Sequence, residues 1–92
     1  MSASINSHKA SLGARIRAAR GVLGWSQADL AQRIGSTQRS VNRIEQGAVD
    51  ARSSTVSAID QAFRDAGIIF EDLGEGGFKL TAPSSLFLPK AP

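Results

Sequence analysis

Four polar residues, Gln38, Arg39, Asn42 and Arg43, lie close together near the middle of the chain. When a helix lies in the major groove of DNA, Gln and Asn can form two hydrogen bonds with the edge of adenine, and Arg with the edge of guanine. Any short exposed helix also carries polar residues that keep it soluble, so these four residues alone allow both interpretations. The elements that would position them favour the first.

Upstream of these residues, the sequence has the start and stop signals of a short helix. Ser26 stands at the N-cap position with Asp29 three residues later, so each side chain can reach the other's free backbone N–H group. Trp25 and Leu30 occupy the positions where an apolar pair fixes the entry of the chain into the helix. Gly35 can take the left-handed conformation that ends it.

The same signals recur immediately afterwards. Thr37 is a second N-cap, Val41 and Ile44 fall on one inward face, and Gly47 ends the helix. The four polar residues are then left on the outward face. Two capped helices with only a tight turn between them are the signature of a helix-turn-helix motif.

Residues 12–66 resemble the Xre-type, lambda-repressor-like DNA-binding domain of bacterial and phage regulators. The resemblance rests on residues at fixed spacing: Leu12-Gly13, Ile16-Arg17, Arg20, Gly24-Trp25-Ser26-Gln27, Leu30-Ala31, Gly35, Val41, Ile44-Glu45 and Gly47. It implies a mostly α, compact four-helix domain. One position departs from the family pattern, because Ser36 stands where a small aliphatic residue is common.

The resemblance also implies roles for individual residues. The residues expected to read bases are Gln38, Arg39, Ser40, Asn42 and Arg43. The residues expected to contact phosphates are Gln27, Arg17, Arg52 and Thr37. A partly enclosed pair of Arg20 and Glu45 is expected to hold the recognition helix against the first helix, with Trp25 and Ser26 also structural.

The helices on either side of the motif complete the predicted domain. A first helix is predicted from about Leu12 to Leu23, with Ser11 as its cap, after an N-terminal arm at residues 1–10. A fourth helix is predicted from near Ser54 to Ala66, because apolar residues recur there at helical spacing. The predicted division is an arm at 1–10, a helix-turn-helix domain at 11–67 and a hairpin with a tail at 68–92.

The last third of the sequence changes character. Ile68-Ile69-Phe70 and Phe78-Lys79-Leu80-Thr81 are β-like segments separated by a loose turn rich in glycine and acid, which predicts a β-hairpin extension. An isolated hairpin is marginal, so it either folds back on its own helices or pairs with a second chain. We interpret it, together with the apolar tail segment, as a dimerisation element with these candidate residues: Ile68, Phe70, Phe78, Leu80, Leu86 and Phe87.

Charge and composition narrow the class of protein. The segment from Lys9 to Arg52 has eight basic and three acidic residues, whereas the remainder from Ser53 has three basic and five acidic ones. The basic part coincides with the motif, as expected for a protein that binds phosphate. The chain has no cysteine and a single histidine, His8, so we expect no catalytic residues, no metal site, no cofactor and no enzyme. No apolar run is long enough to span a membrane, and we expect a cytoplasmic protein.

The sequence therefore predicts a DNA-binding regulator of transcription. We expect a dimeric repressor that reads an inverted repeat in double-stranded DNA. The alternative is a protein-interaction module, an antitoxin or an anti-activator, whose C-terminal hairpin and tail mask a partner protein.

Overall fold

The computed structural model describes residues 5–87, and for residues 5–10 it describes the backbone alone. Four helices are followed by a hairpin and one 3-10 turn. The helices are α1 (Ile5–Leu23), α2 (Gln27–Arg33), α3 (Gln38–Glu45) and α4 (Ser53–Asp65). The strands are β1 (Ile69–Gly74) and β2 (Gly77–Thr81), and the 3-10 turn is Ser84–Leu86. The predicted fold class is thereby confirmed.

The predicted start of the first helix was wrong, whereas α4 begins one residue before the predicted Ser54. Helix α1 begins at Ile5 and not at Leu12, so that residues 5–10 of the predicted arm are helical, while residues 1–4 lie outside the described part of the chain. No proline or glycine interrupts that stretch, and Ser11, the predicted cap, instead accepts a hydrogen bond from Arg15 Nε at 3.1 Å. Helix α4 begins at Ser53, and its N-cap is Arg52, which makes no side-chain capping bond.

The helices enclose one apolar core. Apolar faces of α1, α2, α3 and α4 meet there because each helix repeats apolar residues at helical spacing. The residue just before β1 also contributes. The buried apolar residues are Ile16, Ala19, Leu30, Ala31, Val41, Ile44, Ile59, Phe63 and Ile68.

The hairpin folds back on the chain's own helices, the first of the two predicted alternatives. Phe70 pairs with Leu80 in the antiparallel register, and both side chains are half-buried against the core. Aromatic rings continue the core outward, because Phe70 lies edge-on to Phe63 at 6.2 Å and to Phe78 at 5.8 Å between centroids. An edge-to-face arrangement is one that aromatic pairs favour.

Arg15 joins the hairpin to α1. Its guanidinium lies 5.2 Å from the ring centre of Phe78 and 5.8 Å from that of Phe70, and it pairs with the carboxylate of Asp72. A cation over an aromatic face is attracted by the negative face of the ring. Arg15 therefore forms a polar contact between α1 and the inner face of the hairpin.

The turn of the hairpin is tight, not loose as predicted. The register brings Gly74 opposite Gly77, so only Glu75 and Gly76 form the loop. Their φ angles are +52° and +82°, and a two-residue turn of type I′ requires positive φ at both positions. The register shifts between Asp72 and Gly74, which marks an irregularity at Leu73.

Candidate nucleic-acid interface

The start of α2 is held by a reciprocal pair of hydrogen bonds. Ser26 Oγ accepts from the Asp29 N–H group at 2.9 Å, and the Ser26 N–H group donates to the Asp29 carboxylate at 2.8 Å. This is the predicted capping box. The bond from the Ser26 backbone is the main reason why the pKa of Asp29 is lowered from its ordinary value, since it favours the charged carboxylate.

A glycine turn and a second cap orient α3 relative to α2. Gly35 has a φ of +66°, and beyond it the Ser36 N–H group donates to the Ala31 carbonyl at 2.8 Å. Thr37 then caps α3, because its Oγ1 accepts from the Ser40 N–H group at 3.1 Å. The same hydroxyl donates to Ser40 Oγ at 3.0 Å. Thr37 and Ser40, predicted as DNA contacts, therefore also interact with each other at the start of α3.

A buried ion pair fixes the other end of α3 against α1. Arg20 Nε donates to one Glu45 oxygen at 2.6 Å, and a terminal nitrogen of Arg20 donates to the other at 3.0 Å. The other terminal nitrogen of Arg20 donates to the Trp25 carbonyl at 2.9 Å. Glu45 is 5% exposed, and its bond to Arg20 raises the pKa of the guanidinium above its ordinary value. Such a two-pronged geometry is the strong form of a charged hydrogen bond.

Two further residues, for which the sequence predicted no structural role, contribute to the contact between α1 and the end of α3. We call this contact the Arg20–Glu45 junction. Arg17, predicted as a phosphate contact, donates from its guanidinium to the Glu45 carbonyl at 2.7 Å, although its side chain remains exposed. That bond satisfies one of the carbonyl groups left free at the end of a helix. A Cβ atom on Gly13 would overlap the same carbonyl oxygen and lie 3.0 Å from its carbon. Only glycine therefore lets α1 approach the end of α3 this closely.

The predicted base-reading residues of α3 differ in exposure. Gln38, Arg39 and Arg43 are exposed, whereas Asn42 and Ser40 are half-buried. The buried residues of α3 are Val41, Ile44 and Glu45. The exposed part of α3 therefore consists mainly of long polar side chains. We call the exposed side of α3, together with Gln27, the recognition surface.

Gln27 connects the recognition surface to the buried ion pair. Its Nε2 donates to Asn42 Oδ1 at 3.1 Å and to Glu45 Oε1 at 3.1 Å. Its carbonyl oxygen accepts from Gln38 Nε2 at 3.3 Å. The sequence predicted a phosphate contact for Gln27, and the spacing of these residues gives no sign of this network.

Other predicted site residues lie at the edge of the motif. Arg52, the N-cap residue of α4, is exposed. Trp25 stacks on Phe63 with ring centres 5.7 Å apart, and the Arg33 guanidinium lies 4.0 Å from the centre of its ring. Trp25 thus packs between the core and a charged side chain.

The predicted dimerisation residues divide into two groups. Ile68 is buried, and Phe70, Phe78 and Leu80 lie half-buried on the inner face of the hairpin. By contrast, Leu86 and Phe87 are exposed, as are two apolar residues of β1 that the sequence did not single out, Ile69 and Leu73. The inner group is already used by the chain's own core.

The described part of the chain shows two further features. Within residues 5–87, no helix is long and apolar enough to cross a membrane. The same residues contain no cluster of three or more His, Cys, Asp or Glu side chains that could bind a metal ion.

Comparison with known proteins identifies one family. A family model described as a helix-turn-helix domain matches residues 11–64, which is more than half of the chain. The match includes α2, α3 and the Arg20–Glu45 junction. No curated protein matches the sequence.

Proposed function

Because the chain belongs to the helix-turn-helix domain family, which suggests DNA binding, we propose that it is a sequence-specific regulator of transcription that reads double-stranded DNA in the major groove. The observation that carries this proposal is the polar, exposed surface of α3, positioned by caps at one end and by a buried ion pair at the other. A helix that reads bases must be held rigidly, because each base contact depends on geometry. The resemblance to the Xre type remains a prediction within this proposal.

DNA binding would involve two kinds of contact, one with base edges and one with phosphates. Gln38, Arg39 and Arg43 would meet base edges, since these long side chains are exposed on α3. Arg52, at the start of α4, would contact the phosphate backbone and set the register of the protein on DNA. The basic segment that contains the motif would attract DNA of any sequence.

We further propose that the protein acts as a dimeric repressor on an inverted repeat. Two-fold dimers of helix-turn-helix proteins place their recognition helices about one DNA turn apart. The support for a dimer is the exposed apolar group on the outer side of the hairpin and beyond it: Ile69, Leu73, Leu86 and Phe87. Binding of a different protein by this group remains the alternative function, and an intracellular location follows from either role.

The first experiment separates base reading from phosphate binding. Duplexes that the parent selects from a randomised pool are labelled, and affinity is measured for these and for single-base substitutions across a salt series. We expect Arg39→Ala to cost about 1–3 kcal/mol on the selected duplex and to relax discrimination at one base pair. We expect Arg52→Ala to weaken all duplexes alike and to lower the salt slope by about one.

A charge-matched control removes an arginine elsewhere. Arg64 lies exposed on α4 and pairs with Asp60 one turn earlier, so Arg64→Ala should leave base discrimination and the salt slope nearly unchanged. Selection of no common sequence by the parent, or an Arg39→Ala variant that weakens every duplex equally, would contradict the proposed base-reading role.

A further inference from the structure

A buried carboxylate is linked through one amide to the recognition surface. Glu45 is 5% exposed and both its oxygens accept from Arg20. One of those oxygens also accepts from Gln27 Nε2 at 3.1 Å. Gln27 is half-buried, and its carbonyl oxygen accepts from Gln38, which is exposed. The path from the ion pair to the exposed amide therefore consists of two hydrogen bonds.

The direction of both hydrogen bonds follows from the chemistry of the Glu45 carboxylate. An ionised carboxylate only accepts hydrogen bonds, whereas an amide side chain can turn over and exchange its donor and acceptor ends. Glu45 therefore requires the nitrogen of Gln27 to face inward. The oxygen of Gln27 then faces Gln38 and requires the nitrogen of Gln38 to point towards it.

The orientation of Gln38 determines which base edge it matches. With one amide hydrogen donated to Gln27, Gln38 keeps its oxygen and its second hydrogen for a base. An acceptor beside a donor is the pattern that pairs with the N6 and N7 atoms of adenine. If the amides turned over, Gln38 would give its oxygen to Gln27 and offer only donors, which match the O6 and N7 acceptors of guanine.

We propose that Glu45 is a positioning residue for base recognition, which selects adenine over guanine at the base pair that Gln38 contacts by fixing the orientation of Gln27. This inference rests on the proposed function, because it concerns how the recognition surface reads DNA. It gives Gln27 a role in specificity in addition to any contact with phosphate. Asn42 belongs to the same network, since its oxygen accepts from the second hydrogen of Gln27.

Two variants test the proposal on duplexes that the parent selects from a randomised pool. Glu45→Gln removes the requirement that Gln27 present a donor to residue 45, and so lets Gln27 turn over. We expect the preference for adenine over guanine at the pair contacted by Gln38 to fall about threefold to tenfold, the range for one net hydrogen bond. Gln27→Ala removes the connection but keeps the Arg20–Glu45 pair, and we expect the preference to fall about threefold.

The controls separate positioning from folding. Gln32→Ala removes an exposed glutamine from the same helix as Gln27 and should leave the preference unchanged. Trp25 fluorescence reports whether each variant is folded. If Glu45→Gln does not fold, the preference of Gln27→Ala for adenine over guanine still tests the proposal. A loss of affinity that is equal for adenine and guanine duplexes in Gln27→Ala would overturn the proposal.

A measurement without DNA distinguishes failure of this inference from failure of the proposed function. In NMR spectra of the free parent, we expect Overhauser contacts between the amide hydrogens of Gln27 and the side chain of Glu45. Their absence would overturn the network even if the protein reads DNA. Their presence in a parent that selects no sequence would instead contradict the proposed function, and with it the role of Glu45 in base choice.

Discussion

At the scale of single residues, Gly13 is important because its lack of a side chain lets α1 contact the end of α3. It lies inside α1, where glycine lowers helix stability relative to alanine because it loses more conformational freedom on folding. The carbonyl of Glu45 occupies the space that a Cβ atom would need, and Arg17 reaches the same carbonyl. The contact is to backbone, which cannot turn aside as the end of a flexible side chain could.

We therefore expect Gly13→Ala to destabilise the protein. The steric cost of overfilling a packed site is about 1–3 kcal/mol, and the gain in helix propensity offsets up to about 1 kcal/mol of it. The net loss, up to about 2 kcal/mol, is measured by urea unfolding with Trp25 fluorescence as the signal.

The same helix supplies a matched control for this substitution. A Cβ atom added at Gly21 would meet nothing within 4 Å. Gly21→Ala should therefore stabilise the protein by about 0.5–1 kcal/mol, the value of helix propensity alone. Equal effects of the two substitutions on the free energy of unfolding would show that the Glu45 carbonyl does not exclude a side chain at position 13.

At the scale of elements, local signals in the sequence were sufficient for the motif itself. The caps Ser26 and Thr37 and the turn at Gly35 depend on neighbours within a few residues, so their pattern can be read directly from the chain. The order of four helices and a hairpin follows in the same way from periodicity. The predicted start of α1 was wrong, because a helix can extend past a good capping residue.

Contacts between distant residues could not be predicted in this way. Gln27 meets Glu45, and Arg15 meets Asp72, only because the packing of whole elements brings them together. Nothing in the types or spacing of these residues indicates that they contact each other. For the same reason the sequence left open whether the hairpin packs within the chain or between chains.

The capping box makes α2 sensitive to acid. Asp29 has a lowered pKa in the folded protein, chiefly because its carboxylate accepts from the Ser26 backbone. A group with a lowered folded pKa stabilises the fold above its unfolded value of about 3.9, and this contribution is lost as pH falls through the folded value. We expect Asp29→Asn to be less stable than the parent at pH 7, and the difference to shrink as the pH is lowered from about 4 towards 2.

Urea unfolding of both proteins across that pH range provides the measurement. Asparagine is a close match in size and can still accept one hydrogen bond, so the comparison isolates the charge of the carboxylate. A difference between parent and variant that stays constant from neutral to acid pH would contradict this role for Asp29.

At the scale of the whole molecule, one line of aromatic side chains connects the motif to the hairpin. Trp25 stacks on Phe63, which meets Phe70, which in turn meets Phe78. Because these rings share the core, the hairpin and the four helices should unfold as a single unit. A dimer formed through the hairpin would then hold its two α3 helices at a fixed separation.

The outer face of the hairpin carries charges that suit a second copy of itself. Glu71 and Lys79 are opposite each other in the register, with their charged atoms 3.9 Å apart, and both are exposed. A two-fold axis parallel to the strands and between two such faces would bring Glu71 over Lys79 of the second copy. Ile69 and Leu73 would then be covered at the same time, since both are exposed on β1.

Charge reversal tests this arrangement of the proposed dimer. Glu71→Lys places like charges against each other, and we expect it to weaken self-association about tenfold, as measured by analytical ultracentrifugation at low salt. Adding Lys79→Glu in the same chain makes the faces complementary again and should restore association. Because both residues are exposed, each single reversal should leave the fold intact. A parent that stays monomeric at high concentration, or a double reversal no better than the single one, would contradict this arrangement of the dimer.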